Sequence, residues 1–110
     1  MRVVAYFGHH DLLACPTVAV PPYPVRERYP TDINGEALSS YIDWMYLTFV
    51  QTLTGCPATS VPIGLTRDGR PVGLQLLGRP RGEFELLAAA QVLEQSAGMA
   101  SKVPREPAQR

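Results

Sequence analysis

Residues 55–64 (GCPATSVPIG) and 68–78 (DGRPVGLQLLG) decide how this chain folds. Each contains a strand-like run, and the Asp68-Gly69 pair between the two runs is typical of a tight turn. The two runs therefore predict a β-hairpin. Pro62 is unfavourable inside the first strand because it has no N–H to donate to a neighbouring strand. Gly73 and Gly78 would let another backbone approach the second strand closely.

A helix is predicted before the hairpin, after the turn signal Asn34-Gly35. Its apolar residues recur at spacings of three and four, which places them on one face: Leu38, Tyr41, Ile42, Met45, Phe49 and Leu53. Gly55 can stop this helix, and Pro57 cannot continue it.

A second helix is predicted after the hairpin, over residues 83–97. Glu83 and Glu85 lie favourably near its positive N-terminus, and Gly98 is suited to end it. The expected apolar face consists of Phe84, Leu87, Ala90 and either Leu93 or Ala97.

The N-terminal third of the chain predicts one short strand and a long irregular segment. Residues 11–15 (DLLAC) form an apolar run that Pro16 stops, and residues 16–30 contain five prolines. This Pro-rich stretch fits either a PxxP-type ligand or a loop that covers a core. Its interleaved valines, Val18, Val20 and Val25, favour the covering loop.

Composition excludes several classes of protein. The chain has 110 residues, with ten basic and ten acidic side chains. This balance argues against nucleic-acid binding and against a polybasic membrane binder, which both need excess positive charge. Apolar runs are too short for a membrane span, and residues 1–6 lack the features of a signal peptide, so we expect a cytoplasmic protein.

Side chains that commonly carry chemistry form no complete constellation in this sequence. Ser39-Ser40 lies near the predicted helix start with no base in reach, and the only lysine, Lys102, belongs to the polar tail. The residues around Asp68-Gly69 are expected to form a solvated turn. Cys15 and Cys56 lack CxxC spacing and are expected to be buried free thiols. No metal site and no cofactor are predicted.

Taken in order, these blocks resemble the C-terminal part of the amidase signature enzymes. Residues 55–64 are similar to the family's G-x-P-A-x-S-x-P-x-G run, and residues 69–78 to its G-x-P-x-G-x-Q-x-x-G run. Residues 11–17 are similar to the D-x-L-x-x-P-T segment that precedes them. The resemblance spans about residues 7–97, although Thr52 stands where the family usually has asparagine.

The resemblance implies an α/β fold. The chain would be the C-terminal piece of the amidase signature fold, with strands of a mixed sheet, a β-hairpin and two main helices. Residues 1–99 would form this segment, and residues 100–110 a disordered polar tail.

The resemblance also implies the chemistry. The family uses a serine–serine–lysine triad to hydrolyse carboxamide C–N bonds, and no catalytic residue of this chain can be matched to it. We therefore expect a chain that is inactive alone and that needs the missing N-terminal amidase portion, or associates with itself. Only a complete enzyme would bind a small amide substrate. The alternative is a non-catalytic binding or interaction module derived from the same fold.

The substrate-binding residues implied by the resemblance lie on the first predicted helix. In the family, this helix and the block after it line the substrate side of the site. In the branch that acts on glutamine with transfer RNA, an acidic residue stands at or near the position of Met45. Trp44, Met45 and Phe49 instead offer apolar surface suited to aliphatic or aromatic acyl groups. The alternative is that all three pack in the core.

Overall fold

The computed structural model describes residues 2–102 of the chain. It contains three α-helices and five strands, joined by irregular segments and two single turns of 3-10 helix at Asp43–Met45 and Met99–Ser101. In chain order the elements are α1 (Arg2–Tyr6), β1 (Leu13–Pro16), β2 (Asp32–Ile33), β3 (Glu36–Ala37), α2 (Tyr46–Thr52), β4 (Ala58–Leu65), β5 (Pro71–Leu77) and α3 (Glu83–Ala97).

The main sheet has three strands in the order β1-β5-β4, and both pairings are antiparallel. The predicted hairpin is confirmed as β4 and β5. The pairing register shifts between Pro62 and Gly64. Within residues 2–102, β4 pairs only with β5, so it is an edge strand, where a proline is tolerated.

One face of this sheet is covered by α3. A small core joins Val61 and Leu76 of the sheet to Leu86 and Ala90 of the helix. Successive strand residues point to opposite faces, so Gln75 and Leu77 lie on the other side, and both are also buried.

The predicted apolar face of α3 is partly wrong. Phe84 is 83% exposed and Leu87 is 61% exposed, whereas Leu86 is buried. The connection from β5 explains the difference, because a Cβ on Gly78 would lie 3.2 Å from Cβ of Leu86. This close approach rotates the stripe of Leu86, Ala90 and Leu93 toward the sheet.

The end of α3 is as predicted. Gly98 has a φ of 63° and follows the helix as its C-cap, a conformation that glycine adopts without a steric penalty. One turn of 3-10 helix follows, and residues 103–110 of the predicted tail lie outside the described residues.

The helix before the hairpin begins later than predicted. Asn34 and Gly35 both have positive φ and form the two-residue turn between β2 and β3. The backbone N–H groups of Ser39 and Ser40 then donate to the Asp43 carboxylate at 2.8 and 2.9 Å. These bonds hold the chain in a non-helical turn, since such local contacts compete with helix formation.

The Asp43 contacts predict that the stability of the fold depends on pH. The N–H groups of Ser40 and Ser39 lower the pKa of Asp43 below its ordinary value of 3.8. A lowered native pKa stabilises the fold above pH 3.8, and this contribution is lost as the pH falls through the native pKa. Thermal melts should therefore show Asp43→Asn less stable than wild type at neutral pH, with a difference that shrinks in acid. A difference independent of pH would contradict this origin.

The Pro-rich stretch after β1 lacks regular structure, as predicted. It does not bury its valines as a covering loop would, because Val25 is fully exposed and Val18 is 37% exposed. Instead it curves beside the hairpin. Within residues 2–102, no helix is long and apolar enough to cross a membrane.

Candidate functional site

Two cavities of different size lie on the sheet face opposite α3. At one end, which we call the closed end because α1 and α2 lie over it, Leu77 and Leu13 line a cavity of about 210 Å³ with Tyr6 and Thr54. At the other end of β5, near Gly73, the Pro-rich stretch and the outer part of β4 leave a wider space. We call this the open end, and it is the candidate site.

The open end is a pocket of about 580 Å³. Most of its lining is aliphatic, aromatic or proline, and the Pro-rich stretch, Trp44 and the hairpin contribute to it: Pro16, Thr17, Val18, Ala19, Val20, Pro21, Pro22, Tyr23, Trp44, Ser60, Pro62, Thr66, Pro71, Val72 and Gly73. A concave apolar surface with a few polar groups is the usual form of a small-molecule site.

Four lining residues carry hydroxyl groups, Thr17, Tyr23, Ser60 and Thr66, and two of these groups form a pair. Oγ1 of Thr17 and Oγ of Ser60 are 2.6 Å apart and share a hydrogen bond. The backbone N–H of Thr17 donates to the carbonyl of Gly73 at 3.1 Å, which fixes Thr17 beside the central strand. We call Thr17 and Ser60 the hydroxyl pair.

One wall of the pocket is aromatic. The rings of Tyr23 and Trp44 meet edge to face, with centroids 5.9 Å apart. Nε1 of Trp44 is buried and has no hydrogen-bond partner among residues 2–102. The contact joins the Pro-rich stretch to the turn that precedes α2.

Arg70 fixes the Pro-rich stretch against the hairpin. Its Nη1 donates to the carbonyl of Pro22 at 2.6 Å, while its Nε lies 2.8 Å from Oδ2 of Asp68. The turn is exposed as predicted, with the side chains of Arg70 and Asp68 42% and 59% exposed. The prediction did not include the bond to Pro22. Arg70 thus combines a hydrogen bond to Pro22 with an ion pair to Asp68, and its Nε has no hydrogen-bond partner among residues 2–102.

Arg70→Met should loosen this wall of the pocket. The substitution keeps an apolar stem but removes the bond to Pro22, a charge-assisted contact that solvent partly screens because the Arg70 side chain is 42% exposed. The ring contact between Tyr23 and Trp44 should then loosen, and the Trp44 emission maximum should shift to longer wavelength as water reaches the ring. Arg67→Met, in the same turn, is the matched control and should leave the emission unchanged. The same emission in both variants would show that Arg70 does not hold the loop.

Cys15 lies on the same sheet face, between the closed end and the pocket. The side-chain amide of Gln51 donates to its sulfur at 3.5 Å, and that of Gln75 lies at 4.0 Å. Cys15 and Cys56 are free and half-buried, rather than fully buried as expected.

The predicted substrate-binding residues are only partly brought together. Trp44 and Met45 line a second cavity of about 580 Å³ with Tyr29 and Tyr41, and Trp44 lines the pocket as well. Phe49 is in the lining of neither and instead contacts Tyr46, with ring centroids 5.5 Å apart.

Sequence reasoning did not single out the hydroxyl pair or Tyr23. Thr17 and Ser60 belong to conspicuous Pro-containing blocks, but they are 43 positions apart. Only the strand order brings them together. Chemically, the described residues that line the pocket include no histidine, lysine or carboxylate, so they can bind a ligand but offer no base to activate a nucleophile.

Comparison with known proteins gives consistent matches. Residues 1–87 match the family model described as Amidase. An acylamidase of Rhodococcus erythropolis is 34% identical over 102 residues, which are 92% of this chain and 21% of that protein. A glutamyl-tRNA(Gln) amidotransferase subunit of Alkaliphilus metalliredigens is 34% identical over 100 residues, 91% of this chain and 19% of the relative.

A solved structure supports the same relationship. A bacterial aryl acylamidase of the amidase signature family superposes with a TM-score of 0.70 and 28% identity, over 94% of this chain and 23% of that one. The predicted fold class is thereby confirmed. The chain spans about a fifth of the length of the curated relatives it matches, and it belongs to the Amidase family.

Proposed function

We propose that this chain is the C-terminal part of an amidase-type hydrolase that acts on carboxamide C–N bonds. The observation that carries the proposal is the apolar pocket with its hydroxyl pair and no lining base, in a chain that spans about a fifth of its relatives. In this proposal the chain supplies a wall of the substrate site. The serine–serine–lysine triad comes from the rest of the enzyme, and the chain alone is inactive.

The alternative is a non-catalytic binding module with the same fold. The lining supports it as well, since an apolar pocket with hydroxyl groups and no lining base can bind a ligand without chemistry. A module of this kind would bind an apolar ligand and would gain no activity when joined to the rest of an amidase.

The proposed partner is the remaining portion of the amidase fold. Exposed apolar side chains on the outer side of α3 support this, since Phe84, Leu87 and Val92 are each more than 60% exposed. Large exposed apolar side chains and edge strands such as β4 are typical of surfaces that another segment covers. Without that segment they favour self-association. The balanced charge supports the absence of a nucleic-acid partner and of polybasic membrane binding. The proposed cytoplasmic location is supported by apolar runs too short for a membrane span.

A segment exchange tests the proposal. Residues 1–99 would replace the matching segment of the Rhodococcus acylamidase, and hydrolysis of an aryl anilide would be measured. We expect the chimera to keep activity within about a hundredfold of the parent, whereas a parent that lacks the segment is inactive. A chimera that folds like the parent but has no activity contradicts the proposal and favours the binding module.

The same chimera tests the proposed role of Met45. Trp44, Met45 and Phe49 are proposed to contact the acyl group, and methionine cannot pair with a substrate ammonium group. Leaving such a charge buried and unpaired costs several kcal/mol. Met45→Asp should therefore raise kcat/KM for an amino-bearing amide relative to an apolar amide by about tenfold.

Gln95→Asp is the matched control for this substitution. It places the same charge on an exposed position of α3, away from the pocket lining, and should not change the preference. If Met45→Asp leaves the preference unchanged in a folded chimera, Met45 belongs to the core.

A further inference from the structure

We propose that the hydroxyl pair, Thr17 and Ser60, is the recognition point for one neutral hydrogen-bonding group of an otherwise apolar ligand. The ligand class that fits is an uncharged carboxamide with an aliphatic or aromatic body. The choice of a carboxamide rests on the proposed function. Binding by this chain alone departs from the expectation that only a complete enzyme binds a small amide, because the pocket and its hydroxyl pair are already present in residues 2–102. The position of the recognition point rests on the geometry of the pocket.

The hydroxyl pair has one hydrogen left that it can donate to a ligand. Two hydroxyl groups carry two hydrogens, and the bond between Thr17 and Ser60 uses one of them. The backbone N–H of Thr17 is already bound to Gly73. The hydroxyl of Thr66 donates to Asp68, so its one hydrogen is used. The other lining donors are the Tyr23 hydroxyl and the Nε1–H of Trp44, which belong to the aromatic wall rather than to the pair.

The absence of a side chain at residue 73 makes the pair possible. A Cβ on Gly73 would lie 2.8 Å from Oγ1 of Thr17 and 3.0 Å from Oγ of Ser60. The two hydroxyls therefore approach each other over the bare backbone of β5. Any larger residue would displace one of them.

The remaining walls set the chemistry of the ligand. Prolines and valines of the Pro-rich stretch, with Tyr23 and Trp44, present apolar surface. No charged side chain of residues 2–102 lines this pocket, so a ligand charge would lose water without gaining a partner. A neutral ligand is therefore favoured over an ionised ligand of the same shape.

Trp44 is the only tryptophan in the chain, and it lies in the pocket wall, so its fluorescence can report binding. The full 110-residue chain would be titrated with cyclohexanecarboxamide and with cyclohexanecarboxylate. The protein concentration would be below that at which light scattering detects association. We expect the amide to saturate the signal and the carboxylate to bind at least about tenfold more weakly.

Ser60→Ala and Thr17→Val each leave one hydroxyl that can still donate, so the double variant Thr17→Val/Ser60→Ala is needed to remove the recognition point. It should weaken amide binding by about three- to tenfold, the usual effect of one neutral hydrogen bond, and Ser39→Ala, outside the pocket, should have no effect. Unliganded Trp44 emission and the melting temperature check folding. If this double variant does not fold, Thr17→Ala/Ser60→Ala replaces it.

Two results would overturn this inference. One is an amide affinity that is the same in wild type and in a folded double variant that lacks both hydroxyls. The other is the lack of any saturable Trp44 response to the amide. An active chimera without binding here would refute only this inference, whereas binding here with an inactive chimera would refute only the hydrolase proposal.

Discussion

Replacing Leu77 by alanine is expected to lower the free energy of unfolding by about 2–5 kcal/mol, because transfer energy is lost and a cavity remains. Leu77 is 1% exposed and lies on the central strand, with Leu13 and Ala58 opposite it on the flanking strands. A domain has only about 5–15 kcal/mol of stability in total, so this single change removes a large part of it.

Urea denaturation followed by Trp44 fluorescence measures this cost. Leu53→Ala is the matched control, since Leu53 is 78% exposed at the end of α2, and it should change the free energy of unfolding by less than about 0.5 kcal/mol. A loss below about 1 kcal/mol for Leu77→Ala would contradict the placement of the closed end of this face in the core.

Gly73→Ala is expected to lower the free energy of unfolding by the second largest amount. The added methyl group would displace the hydroxyl pair and disturb the pairing of β1 with β5. Overpacking of this kind costs about 1–3 kcal/mol. The variant should also lose most of the Trp44 response to cyclohexanecarboxamide, because its recognition point is removed.

Gly64→Ala makes the same change on the neighbouring strand. A Cβ at Gly64 would have no other atom within 4 Å. We therefore expect the free energy of unfolding to change by less than about 0.5 kcal/mol. If both variants lose the same free energy of unfolding, the steric contact at Gly73 is not the cause of the loss.

The parts of the fold that local chemistry determines could be predicted from the sequence. The Asp68-Gly69 turn fixed the hairpin, and Gly98 fixed the end of α3. Both rest on backbone conformations that few residues other than glycine adopt readily, so their signal does not depend on distant contacts.

The parts that depend on competing contacts could not be predicted. The periodic residues from Leu38 suggested an early helix start, but the Asp43 carboxylate holds the backbone of Ser39 and Ser40 in a turn instead. On α3, apolar side chains occupy two sides. The close approach of Gly78 and Leu86 then decides which side faces the sheet.

The candidate site was the least predictable part. Trp44 was singled out from the resemblance, and it does line the pocket, although its contact with a substrate stays a prediction. The hydroxyl pair depends on the strand order β1-β5-β4, and the bond from Arg70 to Pro22 joins residues 48 positions apart. No local pattern carries such information.

The central claim is that this chain binds part of an amide substrate and carries no catalytic residue. The most direct test is hydrolysis of an aryl anilide by the purified chain, compared with buffer and with Ser60→Ala. We predict a rate equal to the buffer rate for both proteins, because the pocket offers hydroxyl groups but no lining base. Turnover by the chain alone that Ser60→Ala abolishes would contradict the claim.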